Sequence, residues 1–231
     1  MMLTAESICV YHGDKRALVD VSLSITDNSS TAIIGHNGAG KSTLAGALCG
    51  LNNLRSGRII VNGMDVSKKN SRWFANAGIR LVPQDVGVFK TLTVKENLEM
   101  GASVTRENVQ EGMEFVLNFF PDLNCKLNDP AGSMSGGQQK MLAVGIALMS
   151  FPKVLIMDEP FIGLSPTMVD AVLKCIIELK KARELSVILI EQNIKKALSV
   201  VENVCVLKNG ILVGEYSSSA ILEEGNFWKY F

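Results

Sequence analysis

The sequence has 231 residues, of which 47% are hydrophobic and 20% are charged, and this suits one domain with a sizeable buried core. Lys and Arg together number 23, as do Asp and Glu, so the formal net charge is zero and the composition does not indicate a strongly basic, nucleic-acid-binding protein. The longest apolar run, residues 141–149, is far shorter than the roughly 20 residues that cross a bilayer. Residues 1–10 contain Glu6 and no basic segment, so they do not resemble a signal peptide. A role at a membrane would therefore require a separate membrane partner.

The five cysteines are scattered along the chain and form no C-x-x-C pair. This spacing argues against both a metal site and a disulfide framework. We therefore expect buried thiols in a reducing cytosol.

The first part of the chain predicts short strands joined by tight turns. Residues 19–25 alternate apolar and polar side chains, which is the pattern of a half-buried strand. Residues 31–34 are a short apolar run ending at Gly35, and they predict a buried strand. Residues 58–61 predict another strand, closed by the turn sequence Asn62-Gly63. We therefore expect an antiparallel β portion near the N-terminus.

The middle of the chain, residues 91–130, changes to helical patterning. Thr93 and Glu96 have the spacing of a capping box at the start of a helix. Helical patterning continues through Leu98 and resumes over residues 106–120. We interpret approximately residues 91–150 as a helical subdomain inserted into a single domain that spans residues 1–231.

The last part returns to alternating strands and helices. Apolar runs at residues 154–157, 186–190 and 204–207 predict buried strands, and helices are predicted for residues 168–181 and 193–201. The first of these helices is amphipathic, with one apolar face formed by Val169, Val172, Leu173, Ile176 and Ile177. Continuous apolar strands separated by helices predict a mostly parallel sheet covered on both faces, and hence an α/β fold.

A phosphate-binding loop follows the buried strand at residues 31–34. Residues 35–42 read G-x-x-x-x-G-K-S, and a helix is predicted for residues 42–51. The glycines let backbone amides turn toward phosphate oxygens, and the helix N-terminus adds its dipole. Lys41 supplies positive charge near the outer phosphates, and Ser42 supplies a hydroxyl for Mg²⁺. The strand before the loop and the helix after it disfavour the alternative, a glycine-rich turn without a ligand.

Two carboxylates, Asp158 and Glu159, end the strand predicted at residues 154–157. Strand ends of open α/β sheets face the ligand crevice, and successive side chains on a strand face opposite ways. One carboxylate can therefore hold Mg²⁺ while the other polarises water. A solvated acidic cap is the alternative, and the phosphate loop earlier in the chain favours the metal interpretation.

A second candidate phosphate-binding segment, Ser-Gly-Gly-Gln-Gln at residues 135–139, precedes a helix predicted for residues 140–149. An ordinary flexible helix start is the alternative. Two phosphate-binding ends far apart in one sequence suggest two chains that sandwich a nucleotide.

Taken in order, these motifs resemble the ABC ATPase family over nearly the whole chain. The resemblance implies a P-loop NTPase core and an ATP hydrolase that uses ATP and Mg²⁺. It implies that the nucleotide is bound by the loop residues Gly35, His36, Asn37, Gly38, Ala39, Gly40, Lys41, Ser42 and Thr43. The family signature, which contacts the γ-phosphate of ATP held by the opposite subunit, is matched by Ser135, Gly136, Gly137 and Gln138.

The resemblance also implies roles for single residues. Asp158 matches the Mg²⁺-associated aspartate, and Glu159 matches the general base for water attack. Gln84, in Leu-Val-Pro-Gln, matches the glutamine that reaches the metal and senses the membrane partner. Phe89 and Leu92 are candidates for contact with that partner, and simple core packing is their alternative.

Three positions depart from the family pattern. Gln192 stands after the switch strand where the family usually has a histidine, and an amide can contact a γ-phosphate oxygen but cannot accept and return a proton. Pro166 stands in the distal loop where an aspartate is common. His12 takes the position of the aromatic residue that stacks on adenine, with Tyr11 just before it, and either ring could stack.

Three further segments, at residues 97–102, 147–150 and 190–193, resemble one ATPase subunit of branched-chain amino acid importers. This resemblance implies two different ATPase subunits beneath two membrane permease subunits at the cytoplasmic face of the membrane, with a separate extracytoplasmic binding protein. The sequence itself leaves open whether the ATPase pair is a homodimer or a heterodimer. No nucleic-acid partner is expected. A urea or short-amide importer and a non-transport ABC ATPase are the alternatives.

Overall fold

The computed structural model of the chain describes residues 1–85, 87–102, 109–183, 185–192 and 194–224. The described strands are β1 Leu3–His12, β2 Lys15–Ile25, β3 Ser30–Ile34, β4 Leu54–Val61, β5 Met64–Asp65, β6 Ile79–Val82, β7 Val154–Asp158, β8 Ser186–Glu191, β9 Asn203–Lys208 and β10 Ile211–Ser217. The described helices are α1 Lys41–Leu48, α2 Ser71–Asn76, α3 Val94–Ala102, α4 Val109–Phe119, α5 Pro121–Asn124, α6 Gly136–Leu148, α7 Pro166–Arg183, α8 Ile194–Leu198 and α9 Ser218–Glu224.

The larger sheet has the strand order β10-β9-β3-β8-β7-β6. Strands β9, β3, β8, β7 and β6 are parallel, and β10 pairs antiparallel to β9. Every residue of β3, β7 and β8 is buried, because both faces of the sheet are covered. The predicted α/β fold with a mostly parallel sheet is confirmed.

The alternation of side chains along a strand divides the interior into two cores. On β7, Leu155 and Met157 belong to a core shared with helices α3, α6 and α7. Val154 and Ile156 belong to a second core, shared with α1 and the smaller sheet. The two faces of β7 therefore pack against different layers: helices α3, α6 and α7 on one face, and α1 with the smaller sheet on the other.

The smaller sheet is antiparallel, with the order β2-β1-β4-β5, as predicted for the N-terminal portion. The Asn62-Gly63 turn joins β4 to β5, with φ values of 48° and 80° at its two residues. Such positive values match the type of turn that this dipeptide predicts.

Four helices, α3 to α6, lie within the segment predicted to be helical. The capping box at its start is present: the Thr93 amide donates to Glu96 at 2.7 Å, and the Glu96 amide donates to the Thr93 hydroxyl at 3.1 Å. The start of the second predicted helix, residues 106–108, lies outside the described residues, as does Asn193, the predicted start of the helix observed as α8. The subdomain boundaries, residues 91–150, stay a prediction.

Several predicted helix boundaries were wrong: helix α8 ends at Leu198 and not at residue 201, and α7 spans Pro166–Arg183 and not residues 168–181. Helix α1 ends at Leu48 and not at Leu51, because Gly50 adopts φ +66° and its amide turns back to the carbonyl of Ala47 at 3.0 Å. Helix α6 begins at Gly136 and not at residue 140, because Ser135 caps it and the two glycines form its first turn.

Two burial expectations were also too broad. Ile177, assigned to the apolar face of α7, is 40% exposed, and Cys175 and Leu179 complete that face instead. Of the cysteines, Cys125 is exposed and Cys9 is half-buried. The thiols of Cys49, Cys175 and Cys205 are buried, and burial raises the pKa of each to about 12.

Within the part of the chain that the structure describes, no helix is both long enough and apolar enough to span a bilayer.

Candidate nucleotide-binding site

The candidate site lies at the carboxyl ends of four parallel strands. The register pairs Ile34 of β3 with Glu191 of β8, and Asp158 of β7 with Ile190 of β8. β6 runs parallel beside β7 and leads into the segment that contains Gln84. The phosphate loop, the acidic pair, Gln84 and Gln192 therefore leave the sheet along one edge, where ligands of open α/β sheets bind.

The glycines of the phosphate loop permit a close approach of backbone segments. A Cβ atom at Gly35 would lie 2.2 Å from the Leu207 carbonyl oxygen, and one at Gly40 would lie 2.6 Å from the Ala17 carbonyl oxygen. Gly40 also caps α1 with φ 101°, a conformation that L side chains rarely adopt. The loop can therefore turn sharply from the end of β3 into the N-terminus of α1.

Lys41 is held at the centre of this loop. It is 6% exposed, and its Nζ donates to the carbonyl oxygens of Gly35 at 2.9 Å and His36 at 3.0 Å. Burial lowers the pKa of Lys41, while the nearby carboxylates of Glu159, Asp158 and Glu191 raise it. The arrangement provides a cation beside the backbone amides of a helix N-terminus, which suits a polyphosphate.

A cleft of about 460 Å³ opens above the loop. Of the residues predicted to contact nucleotide or metal, it is lined by His12, Asn37, Gly38, Gly40, Lys41, Ser42, Thr43, Gln84 and Glu159. Five further residues that none of the motifs above indicated also line the cleft: Lys15, Arg16, Ala17, Asn209 and Gly210. The turn sequence Asn209-Gly210 was a detectable signal. The position of this turn beside the phosphate loop could not be predicted, because it depends on a tertiary hydrogen bond of 2.8 Å from the Gly210 amide to the Ala39 carbonyl.

The two candidate stacking residues are placed differently. His12 lines the cleft, and its Nε2 lies 3.1 Å from the Thr43 hydroxyl. Tyr11 is 36% exposed and is not among the residues that line the cleft. Of the two rings, that of His12 is the one positioned at the mouth of the phosphate loop.

Asp158 has the properties of a cation ligand. It is 5% exposed, and its Oδ1 atom has no hydrogen-bond partner among the described residues. Burial raises the pKa of Asp158, and a hydrogen bond with Ser42 opposes this shift. A buried, unpartnered carboxylate oxygen beside a serine hydroxyl fits Mg²⁺, a cation that prefers oxygen ligands.

We expect Asp158→Asn to raise the free energy of unfolding of the nucleotide-free protein by on the order of 1 kcal/mol at neutral pH. The pKa of Asp158 is raised in the fold, so the contribution of this carboxyl to stability is fully present below its unfolded-state pKa and is lost as pH rises through its folded-state pKa. Asn removes this cost because it is never charged. Denaturant unfolding at pH 5 and pH 8 measures the effect, and the exposed Asp170→Asn is the control. The prediction would be contradicted if the wild type were more stable than Asp158→Asn at pH 8.

Glu159 is held between two amides. Its Oε2 accepts a hydrogen bond of 2.8 Å from Gln84 Nε2, and its Oε1 accepts one from Gln192 Nε2. Its backbone has φ +47°, and its amide donates to the Ile190 carbonyl at 2.9 Å. Non-glycine residues in this region are uncommon and concentrate at functional sites. The carboxylate is thus oriented from both sides at the edge of the phosphate loop.

The signature segment starts helix α6. The Gln138 amide donates to the Ser135 hydroxyl at 3.3 Å, and the Ser135 amide donates to Gln138 Oε1 at 3.1 Å. A Cβ atom at Gly137 would lie 2.6 Å from the Met168 sulfur, whereas one at Gly136 would meet nothing within 4 Å. None of these residues lines the cleft beside the phosphate loop. A ligand at this helix start would therefore be a different molecule from one bound in the cleft.

The departure at Pro166 has a local explanation. Pro166 is the first residue of α7, a position where the missing amide proton costs nothing. The preceding Ser165 hydroxyl accepts a hydrogen bond from the Met168 amide at 3.4 Å. Ser165 and Pro166 together start the helix that supports Gly137.

A parallel sheet with a phosphate loop and an acidic strand end at one edge defines a P-loop nucleotide-binding domain. Residues 18–162 match the family model described as ABC transporter. The chain belongs to this family, and it is an ABC-type, transport-coupled ATP hydrolase.

Relatives of known name cover nearly the whole chain. It is 40% identical over 222 residues to the high-affinity branched-chain amino acid transport ATP-binding protein BraG of Pseudomonas aeruginosa, covering 96% of this chain and 95% of the relative. It is 34% identical to the probable branched-chain amino acid transport ATP-binding protein LivF of Archaeoglobus fulgidus, covering 99% and 97%. It is 29% identical to the lipopolysaccharide export system ATP-binding protein LptB of Haemophilus influenzae, covering 96% and 93%.

A solved structure confirms the fold. The crystal structure of a nucleotide-free ATP-binding cassette from an ABC transporter matches with a TM-score of 0.84 and 30% identity. The match covers 96% of this chain and 94% of the other.

Proposed function

We propose that the chain is the ATPase subunit that powers an importer of branched-chain amino acids. The observation that carries this proposal is the 40% identity to BraG over 96% of the chain. The relative LivF, at 34% identity, is also named as a probable branched-chain amino acid transport ATP-binding protein. The solute itself would be recognised by other subunits, because the cleft in this chain is built for a polyphosphate.

We propose that ATP binds with its phosphates on the loop from Gly35 to Thr43 and its adenine against His12. Ser42, Asp158 and Gln84 would hold Mg²⁺, and the buried Oδ1 of Asp158 supports this assignment. When bound, Mg²⁺ would neutralise charge on the phosphate oxygens. Lys41 would leave the loop carbonyls and pair with the outer phosphates.

Glu159 is the proposed general base. It would orient a water molecule and accept its proton as the water oxygen attacks the γ-phosphorus, giving ADP and phosphate. Gln84 and Gln192 would position the carboxylate, because each donates a hydrogen bond to one of its oxygens. Gln192 cannot carry a proton, so its proposed role is positional.

A second ATPase subunit would complete the site. The helix start at Ser135, Gly136, Gly137 and Gln138 presents its first turn outside the cleft of its own chain. Facing a second cassette, it would contact the γ-phosphate held there through its amides. The partner is a second copy or a companion subunit.

Membrane permease subunits are the proposed partners at the cytoplasmic face of the membrane. The loop before α3 exposes Phe89, which is 55% accessible. The fully buried Asn97 holds this loop: its Nδ2 donates to the carbonyls of Phe89 at 3.0 Å and Thr93 at 2.9 Å, and its Oδ1 accepts from the Phe89 amide at 2.8 Å. An exposed aromatic on a rigid loop suits a docking contact.

Uptake of labelled leucine and labelled urea in the source cells tests the proposal, with the wild type compared with Glu159→Gln. Loss of leucine uptake alone supports the branched-chain importer. Loss of urea uptake alone selects a urea or short-amide importer. Survival of both uptakes, with a variant that does not hydrolyse ATP, rejects the importer assignment.

An export ATPase is the second candidate, supported by the 29% identity to LptB. The identity of the membrane subunits that copurify with the chain separates the two candidates.

A further inference from the structure

A buried lysine joins the signature helix to the segment that contains Gln84. Lys140 of α6 is 3% exposed. Its Nζ donates hydrogen bonds to the carbonyl oxygens of Pro83 at 2.8 Å and Gln84 at 3.0 Å. A buried lysine is rare and normally has a specific partner. Here the hydrogen-bond acceptors are two consecutive main-chain carbonyls from a distant part of the sequence.

The surroundings of Lys140 explain how the charge is accommodated. Burial lowers the pKa of Lys140, and the carboxylates of Asp158, Asp85, Glu191 and Glu159 raise it. The two carbonyl hydrogen bonds supply part of the solvation that the ammonium loses on burial. Three of these carboxylates, Asp158, Glu159 and Glu191, lie at the strand ends that form the candidate site, so Lys140 lies in their field.

The segment held by Lys140 is the one that reaches the base. The Gln84 side chain donates to Glu159 Oε2 at 2.8 Å, while the Gln84 carbonyl accepts from Lys140. Pro83, Gln84 and Asp85 are exposed, so packing alone fixes this segment weakly. The position of the Gln84 amide relative to Glu159 thus depends on the position of Lys140.

The other end of the connection is the signature segment itself. Lys140 follows Gly136 by four residues, about one turn of helix. The start of α6 is rigid, because Ser135 and Gln138 form a capping box and Gln139 Nε2 donates to the carbonyls of Ala131 at 3.0 Å and Met134 at 3.2 Å. A displacement of this helix start would therefore move Lys140 with it.

We propose that Lys140 is a positioning residue that couples the signature segment to the catalytic base through Gln84. When a nucleotide on the second subunit engages residues 135–138, α6 shifts, and Lys140 moves Gln84 and resets its hydrogen bond to Glu159. The proposal rests on the functions proposed above for the signature segment and Glu159. A lysine that only satisfied two carbonyls would affect stability and leave turnover unchanged.

A double-mutant cycle separates a coupling role of Lys140 from a purely structural one. ATP hydrolysis is measured on the full chain, purified with the subunits that copurify with it. Lys140→Met is expected to lower kcat by about tenfold or more, with the KM for ATP changed by less than about twofold. In a Gln84→Ala background, the same substitution is expected to lower kcat by less than about twofold, because the side chain through which Lys140 acts is gone. Lys140→Arg retains the charge and the donors and is expected to restore most of the turnover.

The exposed Lys153→Met is the matched control, and free energies of unfolding are measured for every variant. If Lys140→Met does not fold, Lys140→Gln, which is too short to hold both carbonyls, replaces it in the cycle. An equal loss of kcat in both backgrounds, or a change confined to KM, would overturn the coupling. Full turnover of Gln84→Ala would instead remove the role proposed for Gln84, a result that can be told apart from failure of the coupling alone.

Discussion

We expect Glu159→Gln to lower kcat for ATP hydrolysis by about 10²–10⁴-fold while the affinity for ATP stays within a few-fold of the wild type. The substitution keeps the size of the side chain but removes its ability to accept a proton. It also places an amide nitrogen opposite one of the two donors, Gln84 or Gln192, so one orienting hydrogen bond is lost. The phosphate loop does not depend on either contact.

Steady-state phosphate release and equilibrium binding of ATP are the two measurements. Glu159→Asp is the matched control, since it keeps the carboxylate but withdraws it by one methylene from the two amides. We expect it to be slower than the wild type and faster than the Gln variant. If Glu159→Gln retained more than about a tenth of the wild-type turnover, Glu159 would not be the general base.

Local sequence patterns predicted the sheet edge where the candidate site lies, because those patterns are set by local chemistry. The apolar runs before Gly35 and Asp158 match β3 and β7 to within one residue at either end. A strand buried on both faces must be continuously apolar, and the loop that follows must carry glycine where the backbone approaches another segment. Those two constraints can be read without knowing the tertiary structure.

The parts that could not be predicted depend on contacts between distant segments. Lys15 and Arg16 line the cleft because the hairpin of β1 and β2 folds over the phosphate loop, and no local pattern encodes this. The early start of α6 has a different, partly local origin. Two glycines are poor helix formers, yet Ser135 and Gln138 form a capping box and Gly137 leaves room for Met168. The cap and this packing together override intrinsic propensity.

The burial of Lys140 beside the candidate site could not be predicted from the sequence either. Its position after the signature gave no sign of a buried ammonium, since a lysine near a helix start is normally solvated. Only the fold brings the carbonyls of Pro83 and Gln84 within reach. Candidate nucleotide-binding residues could therefore be proposed from motifs, whereas the residues that connect those motifs could not.

The second large effect is expected for Gly40→Ala, measured against Gly63→Ala. Both glycines have positive φ, 101° and 80°, so a side chain introduces backbone strain at both. A Cβ atom at Gly63 meets nothing within 4 Å, whereas one at Gly40 would lie 2.6 Å from the Ala17 carbonyl oxygen and 3.0 Å from Leu18. The comparison isolates the steric clash from the strain.

We expect Gly63→Ala to lower the free energy of unfolding by about 1–2 kcal/mol and to leave ATP affinity unchanged. We expect Gly40→Ala to cost roughly 3–5 kcal/mol, and to weaken ATP binding at least about tenfold in the molecules that remain folded. Relief of the clash must move either the phosphate loop or β2, and both line the cleft. Denaturant unfolding and calorimetric titration with ATP give the two quantities. Equal losses of stability for the two variants would mean that the loop relaxes freely, and the close approach of Gly40 to Ala17 would then not be what shapes the phosphate site.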